Sequence, residues 1–114
     1  MSLETDKINE ETQKYLGVAR KCAKKGDVID MEFALFLLKE IYSINEFVSS
    51  QIEEILGMGY KIGISKSLEN AKKYSRRENI QKMERELYFA TEYADYIGVE
   101  IEEECNHIRL ISAK

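Results

Sequence analysis

The amino-acid sequence predicts an all-α fold, a four-helix domain built from two tandem antiparallel helical hairpins. Three observations carry this expectation. The 114 residues contain no proline, the residue that most strongly interrupts helices. Apolar residues recur at the three- and four-residue steps of an amphipathic helix along most of the chain. The chain also repeats itself at an offset of 52 residues, the step from Ala19 to Ala71.

The repeat is read from residue types that do different jobs. Leu16 matches Leu68, Ala19 matches Ala71, Met31 matches Met83 and Glu32 matches Glu84. The basic pair Lys24-Lys25 matches Arg76-Arg77, and Asp27-Val28 matches Asn79-Ile80. Any two amphipathic hairpins share an apolar period, but not a basic pair and an Asp/Asn cap in the same register. The chain is therefore read as one domain, 1–114, with repeat 1 at about 6–56, a glycine-containing linker at 57–64 and repeat 2 at about 65–112.

In the first helix Ile8, Thr12, Tyr15, Leu16, Ala19, Cys22 and Ala23 share a face. Lys21, Lys24 and Lys25 fill its last turn, where cations oppose the helix dipole. Gly26 suits the left-handed C′ position, and Asp27 is the expected cap of the next helix. In the second copy Glu78 stands in place of that glycine, before the cap Asn79. The second helix is expected over about 28–56. Its main stripe is Met31, Ala34, Leu35, Leu38, Ile41, Tyr42, Val48, Ile52 and Ile55, and a polar strip includes Glu32, Lys39 and Ser43. Gly57, Gly59 and Gly63 mark the linker, and Ser65 is the expected cap of the third helix. Leu68, Ala71, Tyr74 and Ser75 face inward there. The fourth helix carries Ile80, Met83, Leu87, Ala90, Ala94, Ile97, Ile101, Cys105 and Ile108. The two long helices either run unbroken or break near Asn45 and Gly98, and the continuous stripe favours the first.

The turn regions resemble the tetratricopeptide hairpin. Ala71, Tyr74, Glu78-Asn79, Met83, Leu87 and Ala90 have its spacing of small residue, aromatic, turn and small or apolar residues. In the first copy the counterparts are Ala19, Cys22, Gly26-Asp27, Met31, Leu35 and Leu38. The resemblance covers about twenty residues of each copy and implies a stacked hairpin that holds protein partners. Met31 and Met83 stand where that family places alanine, its closing proline is missing, and 52 residues exceed its repeat length, which departs from its peptide-groove geometry. In general character the chain also resembles small archaeal helical proteins of unknown function, and its heavy use of Glu, Lys and Ile is a bias of thermophile proteins.

Composition narrows the function classes. A net charge of −4 with 33% charged residues provides no overall field for nucleic acid or membrane. No apolar run approaches the length of a transmembrane helix. The polar stretch from Met1 to Glu11 lacks a signal-peptide core, so a cytoplasmic location is expected. Cys22 and Cys105 are expected to be buried thiols.

Chemistry-bearing patterns are weak. His107 is the single histidine. Glu104 and His107 have one E-x-x-H spacing, where a di-iron bundle needs several converging ligands, so His107 reads as a solvated residue near a helix end. Glu100, Glu102, Glu103 and Glu104 point in different directions on a helix and read as a solvated face. The glycines of 57–63 lack the strand-loop-helix setting of a phosphate-binding loop. No catalytic residue, cofactor, metal or small-molecule substrate is expected, and the protein is read as non-enzymatic.

Two surfaces remain. A second apolar stripe, Phe33, Phe36, Leu37, Ile44 and Phe47, exceeds what one neighbouring helix covers, and Tyr88, Phe89 and Tyr96 hold equivalent positions in the second copy. Aromatic residues are enriched at interfaces. The stripe is therefore either buried between the long helices or an interface, and the expectation is a protein-interaction or assembly module that self-associates through the second helix. The alternative is a small nucleic-acid-associated protein that uses basic hairpin tips: Arg20, Lys21, Lys24, Lys25, Lys72, Lys73, Arg76 and Arg77. Tyr60 and Tyr74 lie among these bases as candidates for base stacking.

Overall fold

The turn after the first helix shows why the chain folds back where it does. Gly26 adopts φ 72°. Its N–H donates to the Ala23 carbonyl, and the Asp27 N–H donates to the Cys22 carbonyl. Those two bonds form a Schellman motif, which satisfies carbonyls that a helix end leaves open. The computed structural model describes residues 3–42 and 44–113, with side chains over 10–42 and 44–112. The Ile8 side chain and Ser43 lie outside the described residues.

Among the described residues the chain is all helical, in five segments and without a strand. They are α1 (Leu3–Lys25), α2 (Val28–Ile41), α3 (Glu46–Arg76), α4 (Ile80–Ile97) and α5 (Glu102–Ala113). The expectation of four helices is corrected in two ways. First, the two long helices do not run through. After α2 the backbone of Tyr42 is extended, and Asn45 starts α3 by accepting a 2.8 Å bond from the Val48 N–H on its Oδ1, an N-cap. After α4, Gly98 takes φ 70°, and the Val99 N–H closes a second Schellman bond on the Ala94 carbonyl.

Second, the expected linker 57–64 is helical and lies inside α3. Glycine costs about 1 kcal/mol in a helix against alanine, which is not enough to break one that packs. Gly59 is buried and permits close approach to Met31 and Ala23. Ser65 is accordingly no cap: it sits within α3 and its hydroxyl donates to the Lys61 carbonyl at 3.4 Å.

The chain divides into two compact units, Met1–Gly59 and Tyr60–Lys114. In the first, α1 packs on α2. Thr12, Leu16, Ala19 and Ala23 of α1, Met31, Leu35 and Leu38 of α2, and Val48, Ile52 and Ile55 of α3 are buried. Tyr42, at the end of α2, donates a hydrogen bond to the Glu11 carboxylate of α1, and its ring lies 6.1 Å from that of Tyr15.

In the second unit one apolar cluster joins Ile64, Ala71, Met83, Leu87, Ala90 and Ala94 to Ile101, Cys105 and Ile108. Ser75, 1% exposed, donates its hydroxyl to the Ile108 carbonyl at 2.8 Å. Glu102, Glu103 and Glu104 occupy the first turn of α5, where negative charge favours the dipole. Two residues expected to face inward do not: Ile41 and Ile80 are exposed, because each stands at the end of a helix, Ile41 last in α2 and Ile80 first in α4. Both cysteines are free thiols, Cys105 buried as expected and Cys22 only half-buried.

Candidate protein interface

Helix α2 is apolar on two opposite sides. Val28, Met31, Leu35 and Leu38 face the core. Ile29, Phe33 and Phe36, spaced four and three residues apart, share the other side of the helix. They are 73%, 60% and 57% exposed. Leu37 at the flank is half-buried. The sequence reading missed Ile29, the most exposed of the large apolar residues described. Its i, i+4, i+7 spacing with Phe33 and Phe36 was the available signal.

The break after α2 divides the expected stripe. Phe47 is exposed but belongs to the first turn of α3, and Ile44 lies half-buried between the two helices. Phe33, Phe36 and Leu37 therefore form a surface on one helix, and Ile44 and Phe47 do not continue its line.

On α4 the counterpart side is aromatic. Tyr88 and Tyr96 are exposed, and Phe89 is 36% exposed. Tyr60 of α3 is buried against this side. Its ring stacks on Tyr96, centroids 4.9 Å apart, and on Tyr93 at 5.8 Å. Phe89 stacks on Tyr93 at 6.4 Å, and Tyr88 meets Phe89 edge-on at 6.1 Å. The Tyr60 ring is thus committed to packing within this unit.

The basic residues are solvent-facing at the ends of helices. Lys21, Lys24 and Lys25 are exposed on α1, with Arg20 half-buried. Lys72, Lys73 and Arg76 are exposed on α3, and Arg77 follows it. Tyr74 is half-buried, with the Lys82 ammonium 5.6 Å from its ring centroid.

Titration shifts follow local contacts. The hydrogen bond to Glu11, with partial burial and the Glu11 charge, pushes Tyr42 up to about 12. Asp27 makes no side-chain capping bond. A hydrogen bond shared with Asp27, and then its negative charge, raise the Asp30 carboxyl above its ordinary range. Arg109 holds Glu84 below its ordinary range through paired hydrogen bonds of 2.7 and 3.0 Å.

His107 is exposed and borders an open groove of about 330 Å³ with Leu68, Lys72, Glu103, Glu104 and Ile108. Among the described residues, no three His, Cys, Asp or Glu side chains gather where they would hold a metal ion. No described helix is long and apolar enough to cross a membrane. Comparison with protein-family models, curated proteins and solved structures returns no match.

Proposed function

We propose that this protein is a non-enzymatic protein-interaction module that self-associates through α2. The observation that carries this reading is the outward side of α2: Ile29, Phe33 and Phe36 each expose more than half their surface opposite the core stripe. A helix that is apolar on two opposite sides has one side more than its own fold uses, and contiguous apolar surface of this kind marks interaction sites.

Internal duplication is part of the same reading. The Schellman bonds of Gly26 and Asp27 recur at Glu78 and Asn79, whose N–H groups donate to the Ser75 and Tyr74 carbonyls. Asp27 (φ −86°, ψ 77°) and Asn79 (φ −90°, ψ 80°) have nearly the same backbone. Buried Ala19, Met31 and Leu35 match buried Ala71, Met83 and Leu87 at the same offset. The two units are two diverged copies of one hairpin, akin to tetratricopeptide hairpins in their turns, with outward sides of different chemistry.

Light scattering over a concentration series, at low and high salt, tests the self-association. A dimer that persists at both salts and becomes a monomer in Phe33→Glu with Phe36→Glu is the expected result. A wild-type protein that stays monomeric throughout would overturn it.

A second reading rests on the exposed basic pairs Lys24-Lys25 and Arg76-Arg77, which precede the two equivalent turns. Nucleic-acid binding there would fall steeply with salt and would be lost in Arg76→Glu with Arg77→Glu.

A further inference from the structure

We propose that two copies of this chain pair α2 against α2 in antiparallel fashion about a two-fold axis, with Glu32 of each copy opposite Lys39 of the other. This rests on the reading that α2 is the self-association surface, and it assigns the orientation and register of that surface.

The argument starts from the flanks of the exposed stripe. Glu32 and Lys39 are both exposed. They are seven residues apart, close to two helical turns, so they lie on one flank of the Ile29–Phe33–Phe36 line about 10 Å apart. Asp30 and Leu37 lie on the opposite flank, with Ile41 beyond them.

Symmetry decides which flanks meet. In an antiparallel two-fold pair each flank faces its own copy, running the other way. The Glu32/Lys39 flank then meets Lys39/Glu32, and one helix supplies both partners of two symmetry-related ion pairs. The flank that carries Asp30, Leu37 and Ile41 also meets itself: Leu37 and Ile41 extend the apolar surface, and Asp30 of each copy stands at the height of Ile41 of the other, with no second carboxylate opposite it. A two-fold axis between Leu35 and Phe36 sets the two ion pairs opposite each other. It also brings the two Phe36 rings together at the centre, inside the charged rim that interfaces commonly show.

A parallel two-fold pair brings unlike flanks together instead. Glu32 would then face the flank that carries Asp30, already crowded by Asp27, and Lys39 would face Leu37 and Ile41. Like charges opposed across an interface disfavour that orientation. Glu40, exposed four residues after Phe36, ends the apolar line, and the complementary charges are those of the Glu32/Lys39 flank, which a second, antiparallel copy pairs.

The test compares dissociation constants, by sedimentation equilibrium at low salt, for the wild type, Glu32→Lys, Lys39→Glu and the double reversal. Each single reversal opposes like charges at two places in the dimer. It is expected to weaken association about tenfold, and the double reversal is expected to recover to within about threefold of wild type. Wild-type dimerisation that none of the three variants alters, or single losses that the double reversal does not recover, would overturn the antiparallel register while leaving self-association intact. A monomeric wild type would overturn the self-association itself. Circular dichroism on all four proteins separates loss of pairing from loss of fold.

Discussion

Gly26 and Glu78 hold the same left-handed backbone conformation, φ 72° and 59°, at the turns that end α1 and α3. In both, the N–H groups of this residue and the next return to the preceding helix. The turn geometry is shared, but only one copy has the residue suited to it.

The strain at Glu78 is therefore removable. A non-glycine residue in this conformation costs roughly 1–2 kcal/mol, part of which glycine gives back through its freer unfolded chain. Glu78→Gly is expected to stabilise the protein by about 0.5–1 kcal/mol. Gly26→Ala is expected to destabilise it by about 1 kcal/mol. Urea denaturation midpoints with an unchanged slope would measure both, and a loss of stability in Glu78→Gly would contradict the argument.

Two glycines of α3 should respond oppositely to alanine. At Gly57 an added Cβ meets nothing within 4 Å, whereas at Gly59 it would overlap the Met31 thioether and lie 3.2 Å from the Ala23 Cβ. Met31 is fully buried, so its thioether end can give way only by repacking within the core. Gly57→Ala is expected to raise stability by up to about 1 kcal/mol through helix propensity. Gly59→Ala should lower it by about 1 kcal/mol, as overpacking outweighs the same gain. Thermal unfolding of the pair checks the contrast.

Ser75→Ala removes the buried hydroxyl that reaches the Ile108 carbonyl from α3 to α5. The net worth of such a bond is about 1 kcal/mol. Hydrogen exchange in α5 is expected to accelerate accordingly, with less change in α1 and α2.

The Glu84–Arg109 pair should appear in the acid limb of stability. Its carboxyl is held low by the guanidinium. The stabilisation is present above the ordinary glutamate range and is lost as pH falls through the lower, folded value. Both side chains are more than two-fifths exposed, so screening limits the effect to about 0.5 kcal/mol. Glu84→Gln should flatten the pH dependence by that amount, and salt should shrink the difference.

Tyr42 gives the opposite, alkaline signature. Its proton is held by Glu11, with ionisation pushed up to about 12. The contact contributes fully below the ordinary tyrosine pKa of about 10 and is lost as pH rises through about 12. Ultraviolet titration of the wild type should show a late contribution from Tyr42, and both Tyr42→Phe and Glu11→Gln should remove that contribution.

Much of this protein was legible in its residues because helix period and turn chemistry are local properties. The all-helical class, the inward residues Leu16, Met31, Leu38, Met83, Leu87 and Ile108, and the turns at Gly26 and Glu78-Asn79 all follow from spacing within a few residues. Tertiary structure decided where competing local signals met. Gly57, Gly59 and Gly63 read as a linker, yet α3 runs through them, because Gly59 packs against Ala23 and Met31, residues distant in sequence. The apolar stripes that run past Asn45 and Gly98 favoured unbroken helices, yet Asn45 caps the start of a new helix and Gly98 ends one in a left-handed turn. Whether the second apolar side of α2 is also covered was undecidable from period alone, since Phe33 and Phe36 are as apolar as the inward Met31 and Leu35. Burial is set by the helices that pack alongside, and only the folded chain shows that Ile29, Phe33 and Phe36 are the side left over.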